Sequence, residues 1–198
     1  MPVIAITGGI GSGKSSVRKA LEELGALGVD TDELARRVVE PGSAGAGMVR
    51  DAFGEGFFDR EGRLDRKRMA EEVFHDPDAR LRLEAILHPL IRELEADIVS
   101  RALQEDPSRL VVVEVPLLTD PARAAVYDGV LLVTAPRDVR LRRLAESGRY
   151  TGEEALARMR SQASDELRKG LATWVLDNGG SREETSRQLD RILAELGR

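Results

Sequence analysis

The chain has no cysteine among its 198 residues, which excludes disulfides and thiolate metal sites and suits a cytoplasmic protein. No apolar run approaches the 18 residues that a membrane-spanning helix needs. The first apolar run, at residues 3–7, reads as a core strand and leaves no room for a leader, so none is expected. Net charge is −5 and the basic residues are spread along the chain, so no stripe for binding nucleic acid is expected. Lysine is scarce: Lys14, Lys19, Lys67 and Lys169 are the only ones among 30 basic residues. Internal repeats and low-complexity segments are absent too. A hydrophobic content of 41% with 33% charged residues describes a globular chain able to bury one sizeable core.

What is present begins at Gly8. The octapeptide Gly8-Gly9-Ile10-Gly11-Ser12-Gly13-Lys14-Ser15 fits the phosphate-loop pattern G-x-x-x-x-G-K-[ST]. Val3–Thr7 before it reads as a buried strand, and Ser16–Leu24 after it as a helix. A strand, a glycine-rich turn and a helix N-terminus converge backbone N–H groups on one point, where the helix dipole favours an anion. Gly9, Gly11, Ser12, Gly13, Lys14, Ser15 and Ser16 are therefore candidate triphosphate ligands. Lys14 would reach the outer phosphates, and the Ser15 hydroxyl would coordinate Mg²⁺. A dinucleotide fingerprint fits worse, because its third glycine falls on Lys14.

Four further runs read as strands: residues 26–29, 110–115, 130–133 and 174–176. Their nearly continuous apolar character indicates burial on both faces, so the spacing predicts an α/β fold with a five-stranded parallel sheet flanked by helices. Residues 41–106 break the alternation. Here residues 66–74, 78–87 and 89–104 read as three helices, with Pro89 opening the last, and Leu83, Ile86, Leu87, Leu90, Ile91, Leu94 and Ile98 mark a buried face. So long a connection is expected to be functional, and we read it as a helical substrate-binding insertion. Residues 137–170 carry eight arginines. Most of these fit solvated helix faces, and one or two are expected to cover phosphates as a lid. The division predicted is a nucleotide core at 1–40, 107–136 and 171–198, an insertion at 41–106 and a lid at 137–170.

Phosphoryl transfer also needs a group that positions the acceptor. Asp32 is the candidate, just past the second strand at the edge where open α/β sheets place ligands. Asp30 heads a D-x-x-E capping box with Glu33 and is assigned to structure. Glu114 ends the third strand, either as an acid organising Mg²⁺ through water or as a buried carboxylate paired with arginine. His88 either contacts substrate or caps its neighbour. Trp174 reads as core packing or as a wall near a bound base.

The blocks GGIGSGKSS, DTDELARRVVEPG at 30–42, ILHPLI at 86–91, VPLL at 115–118 and VLDN at 175–178 resemble, in order, those of the dephospho-CoA kinase family. The resemblance implies a P-loop kinase-like core with a helical CoA domain and a lid. It implies ATP-dependent phosphorylation of the ribose 3′-hydroxyl of dephospho-coenzyme A, the last step of coenzyme A synthesis, with Mg²⁺. It makes Asp32 the base for that hydroxyl and Arg36 a contact to the substrate or its phosphates; apart from it, Arg36 reads as a surface partner of Glu33 or Glu40. The family's lid arginine aligns with Ser147, leaving Arg143 and Arg149 as its substitutes. This chain also has Thr173-Trp174 where an aspartate is usual, and Thr119-Asp120 in place of an aromatic residue and glutamate. The partners implied are ATP and dephospho-CoA, with no nucleic acid, membrane or obligatory protein partner. The alternatives are another small P-loop kinase, which would need a shorter insertion, and a GTPase-like switch. Against the latter, the chain lacks an N-K-x-D segment and a D-x-x-G after the third strand.

Overall fold

The computed structural model describes residues 2–197 apart from Leu117, Arg149 and Ala163. Its elements are β1 (Val3–Thr7), α1 (Lys14–Glu23), β2 (Leu27–Asp30), α2 (Thr31–Arg37), α3 (Ala44–Phe53), a 3₁₀ turn (Glu55–Phe57), α4 (Arg66–His75) and α5 (Pro77–Glu105). There follow β3 (Val111–Glu114), α6 (Pro121–Ala124), β4 (Gly129–Thr134), α7 (Arg137–Glu146), α8 (Gly152–Ser161), α9 (Asp165–Lys169), β5 (Trp174–Asp177) and α10 (Arg182–Glu195).

The five strands form one parallel sheet in the order β2-β3-β1-β4-β5. Ile4, Ile6, Val112, Leu131, Val133 and Leu176 from four of its strands are buried with Val17 and Leu21 of α1 and Leu189 and Ile192 of α10. Each such side chain contributes roughly 1.5–3 kcal/mol on leaving water. The chain passes from β2 on one side of β1 to β4 on the other, so the loop after β1 opens at a switch point on the carboxyl edge. Trp174 packs against this core and its indole donates to Glu195, 2.7 Å away, so core packing is the reading that holds.

The chain divides into two compact units, Met1–Asp30 with Ala102–Arg198, and Thr31–Arg101. The second is helical. Val39, Val49 and Met69 are its buried cluster, with Phe53, Phe57, Phe58, Leu64, Leu83 and Leu87 packed around them. Ser43 and Asp65 cap α3 and α4 by accepting from the N–H groups of Ala46 and Arg68.

One expectation fails here. Pro89 does not open a helix; it lies inside a continuous 29-residue α5. An interior proline forfeits one backbone bond and crowds the preceding turn, at a cost of about 3 kcal/mol. The apolar positions on both sides of Pro89 keep helical spacing, and Leu83, Ile86 and Leu87 pack against the Val39–Met69 cluster. The face from Leu83 to Ile98 is half-buried rather than buried.

Candidate active site

The loop at residues 8–13 leaves β1 and ends on Gly13, the N-cap of α1, whose φ of 89° lies in the left-handed region open to glycine. A Cβ there would also stand 2.1 Å from Nδ2 of Asn178. At Gly9 the constraint is close approach, since a Cβ would lie 2.1 Å from the Arg140 guanidinium.

The carbonyls of the loop are held from outside. Ile10 O accepts from Nε of Arg140 at 2.8 Å, and Ser12 O accepts from Nδ2 of Asn178 at 2.8 Å and Nη1 of Arg143 at 3.3 Å. In a trans peptide the next N–H points opposite to the carbonyl. Anchoring these two oxygens therefore turns the N–H groups of Gly11 and Gly13 inward, as a phosphate cradle requires. The N–H of Ile10 is instead bound by Oε1 of Gln162 at 2.8 Å. The hydroxyls of Thr7 and Ser12 are buried without a hydrogen-bond partner among the described residues, leaving polar capacity at the loop. Lys14 bends back over it, its Nζ 3.3 Å from Gly9 O.

Arg140 is a buried cation. Burial lowers its guanidinium pKa; Asp165, 3.4 Å away, acts against this, and the charge of Arg168 reinforces it. Arg143 spans two segments, with Nη2 donating to Asn178 O at 2.8 Å. Asn178 is fixed at its other end by Thr185, whose hydroxyl donates to Oδ1 at 3.0 Å. Beside Gly13 opens a cavity of about 630 Å³, lined among others by Ser16, Lys19, Arg143, Asn178, Gly180 and Arg182. That volume suits a small-molecule ligand.

A second polar cluster lies beneath Ser15. Parallel pairing sets Asp30 of β2 beside Glu114 of β3. Glu114 is buried, accepting from the Ser15 hydroxyl at 2.9 Å and from Nε of Arg18 at 2.9 Å. Arg18 also reaches Glu22 at 2.6 Å and Asp30 at 3.5 Å. Burial pulls the Arg18 guanidinium down, but its bonds to Glu114 and Glu22 hold it above its ordinary value. The reading of Glu114 as a buried carboxylate paired with arginine therefore holds, and the residue also touches the Ser15 hydroxyl. Among the described residues no group of three or more histidines, cysteines or carboxylates gathers as a metal site. Ser15 with Glu114 nonetheless forms a hard oxygen donor set of the kind Mg²⁺ takes alongside phosphate oxygens and water.

In the helical unit, Asp32 and Arg36 are exposed and four residues apart on α2, hence on one face. His88 is exposed on α5. Arg149 lies outside the described residues. Arg140, Gln162, Asn178 and Arg18 escape the sequence reading, because a bond to a backbone carbonyl or buried carboxylate far along the chain leaves no local pattern. The VLDN block does contain Asn178, and the density of arginines around Arg140 is a signal for the region rather than the residue.

Residues 2–184 match the model of the dephospho-CoA kinase family. A dephospho-CoA kinase of Leifsonia xyli subsp. xyli is 43% identical over 197 residues, 99% of each chain. One from Frankia casuarinae is 43% identical over 196 residues, 99% of this chain and 84% of the relative. Among solved structures, TT1252 from Thermus thermophilus superposes with a TM-score of 0.84 at 40% identity, covering 98% of both chains. Dephospho-CoA kinase from Campylobacter jejuni, at 23% identity and a TM-score of 0.70 over 98% of this chain and 96% of that one, shares the fold. The phosphate loop, its carbonyl anchors and a match running through almost the whole length agree: the chain belongs to the dephospho-CoA kinase family.

Proposed function

We propose that this chain transfers the γ-phosphoryl group of ATP to the ribose 3′-hydroxyl of dephospho-coenzyme A, giving coenzyme A and ADP in the last step of coenzyme A synthesis. The observation that carries this reading is the family match over residues 2–184, with a phosphate loop whose Gly11 and Gly13 N–H groups are turned inward.

In this reading the sheet unit binds the donor. The N–H groups of the loop through Ser16, together with Lys14, neutralise the triphosphate, and Arg143 lies beside the cavity that takes the nucleoside. Ser15 and Glu114 are the residues that would hold Mg²⁺, Ser15 by its hydroxyl and Glu114 through water. When bound, the ion screens phosphate charge.

The helical unit takes the acceptor, with Asp32, Arg36 and His88 as its contacts and residues 137–170 acting as the lid. The 3′-oxygen forms its bond to the γ-phosphorus as the bond to the bridging oxygen of ADP breaks. A ribose hydroxyl is a very weak acid, so Asp32 orients it by accepting its hydrogen bond and takes the proton late. Among the described residues no helix is long and apolar enough to cross a membrane, and the enzyme is proposed to work in the cytoplasm, where ATP is plentiful, without nucleic acid or an obligatory protein partner.

The test is ATP turnover with Mg²⁺, with and without dephospho-CoA, following the acceptor's mass. One added phosphate at the 3′-position is expected, with kcat lowered roughly 10²- to 10⁴-fold in Asp32→Asn. Near-normal kcat in a folded Asp32→Asn would remove Asp32 from the role. No transfer to dephospho-CoA despite ATP binding would overturn the proposed substrate.

A further inference from the structure

We infer that Arg66, on α4, completes with Arg36, on α2, a two-guanidinium clamp for the diphosphate of the acceptor. The inference rests on the reading that this chain phosphorylates dephospho-CoA and adds a residue to its acceptor site.

The helical unit uses most of its arginines up. Arg50, Arg63, Arg80 and Arg101 are ion-paired with Glu55, Asp59, Glu84 and Asp97, while Arg68 and Arg82 lie over the rings of Phe57 and Phe53. Arg36, Arg37, Arg60, Arg66 and Arg92 have no ion pair among the described residues, and of these Arg36 and Arg66 are joined by a contact. Nη2 of Arg66 lies 3.4 Å from the backbone oxygen of Arg36, at the last turn of α2, where carbonyl dipoles favour a cation. Their backbones are tied to one apolar cluster, since Val39 and Met69, each three residues further on, are buried together. Partial burial, and then the charge of Arg36, lower the pKa of Arg66. Two like charges within reach of each other cost stability unless something neutralises them. Asp65, the neighbouring carboxylate, is engaged in capping α4 through the N–H of Arg68.

An anion bound by both guanidiniums answers that charge, and forked donors suit phosphate oxygens. The choice of anion follows from Asp32. It shares a face with Arg36 four residues on, about 6 Å along the axis. In dephospho-CoA the diphosphate is the only charged group. It is joined through the 5′-carbon to the ribose whose 3′-hydroxyl reacts, so its reach from that hydroxyl is of the same order. The donor's phosphates are the other possible source of the anion, and the experiment separates the two.

The measurement is steady-state kinetics of wild type, Arg66→Gln and Arg66→Lys, with dephospho-CoA and with adenosine, which keeps the ribose hydroxyls and lacks the diphosphate. In Arg66→Gln the KM for dephospho-CoA should rise roughly ten- to a hundredfold, the effect of one charge-assisted hydrogen-bonding group. Its KM for ATP, its kcat and the weak kcat/KM for adenosine should stay within about threefold, and Arg66→Lys should recover part of the loss. An unchanged KM for dephospho-CoA would overturn the clamp. So would an equal loss with adenosine or a matching rise in the KM for ATP, which would assign Arg66 to the fold or to the donor. Wild type that leaves dephospho-CoA unphosphorylated would overturn the substrate instead. Calorimetric titration with ADP-ribose, which carries the same diphosphate, would then test the clamp alone. Binding weakened at least tenfold in Arg66→Gln supports it, and equal binding refutes it.

Discussion

In the sheet unit, Ile6, Val112, Leu131 and Val133 are inaccessible to water, and the buried cluster around them is aliphatic, with Trp174 packed against it. In the helical unit Val39, Val49 and Met69 form a buried cluster, and the rings of Phe53, Phe57 and Phe58 around it are half-covered by Arg82, Arg68 and Arg50. A dry aliphatic core leaves its charged groups free for other work. Arg140 and Arg143 there hold backbone carbonyls and contribute to a site. A thin core recruits its arginines for cover, as amphipathic side chains that lay their stems on apolar surface. Arg66 shares the first use, since its guanidinium meets the Arg36 carbonyl, but it does so beside a second cation.

Truncating one deep residue in each core is the strongest way to break this comparison. Leu131→Ala should cost close to 5 kcal/mol and Met69→Ala closer to 2, within the range of about 2–5 for such changes. Denaturant unfolding would measure both, and equal losses would put the two cores on the same footing. Next in size is Lys14→Ala, which should lower kcat roughly 10²- to 10³-fold with an unchanged thermal midpoint. A midpoint that falls along with the rate would mean that charge and packing in the sheet unit are not separable. The smallest effect is expected of Glu114→Gln, which removes the charge facing Arg18. Stability should drop by about 1–3 kcal/mol and the Mg²⁺ concentration for half-maximal rate should rise. An unaltered Mg²⁺ dependence would confine Glu114 to holding Ser15 and Arg18 in place.

The same contrast explains how much could be read in advance. The sheet was legible because strands covered on both faces must be apolar almost without interruption, as Val111-Val112-Val113 are, and the glycines before Lys14 announce the turn from β1 to α1. The helical unit was legible only in part. Local rules split α5 at Pro89, but the continuity of the stripe from Leu83 to Leu94 outweighs one missing backbone bond. Within the site, a motif of adjacent residues could be found, whereas its supports could not. Arg140 and Asn178 act through carbonyls whose owners, Ile10 and Ser12, are indifferent to side-chain identity. Arg66 was read merely as the start of a helix, since nothing along the chain says that its guanidinium ends at the last turn of α2.

Those supports also set an order of events during biosynthesis. The loop carbonyls are received by side chains 130 and 166 residues further along the chain. At 5–20 residues per second, a ribosome needs roughly ten to thirty seconds to travel from Ser12 to Asn178. Until Arg140 is made the nascent chain carries every residue of the phosphate loop and neither of these pairings, and until Asn178 is made it lacks the second. The fully anchored loop exists only after β5 has emerged and docked, so nucleotide meets it as a ligand of the finished sheet.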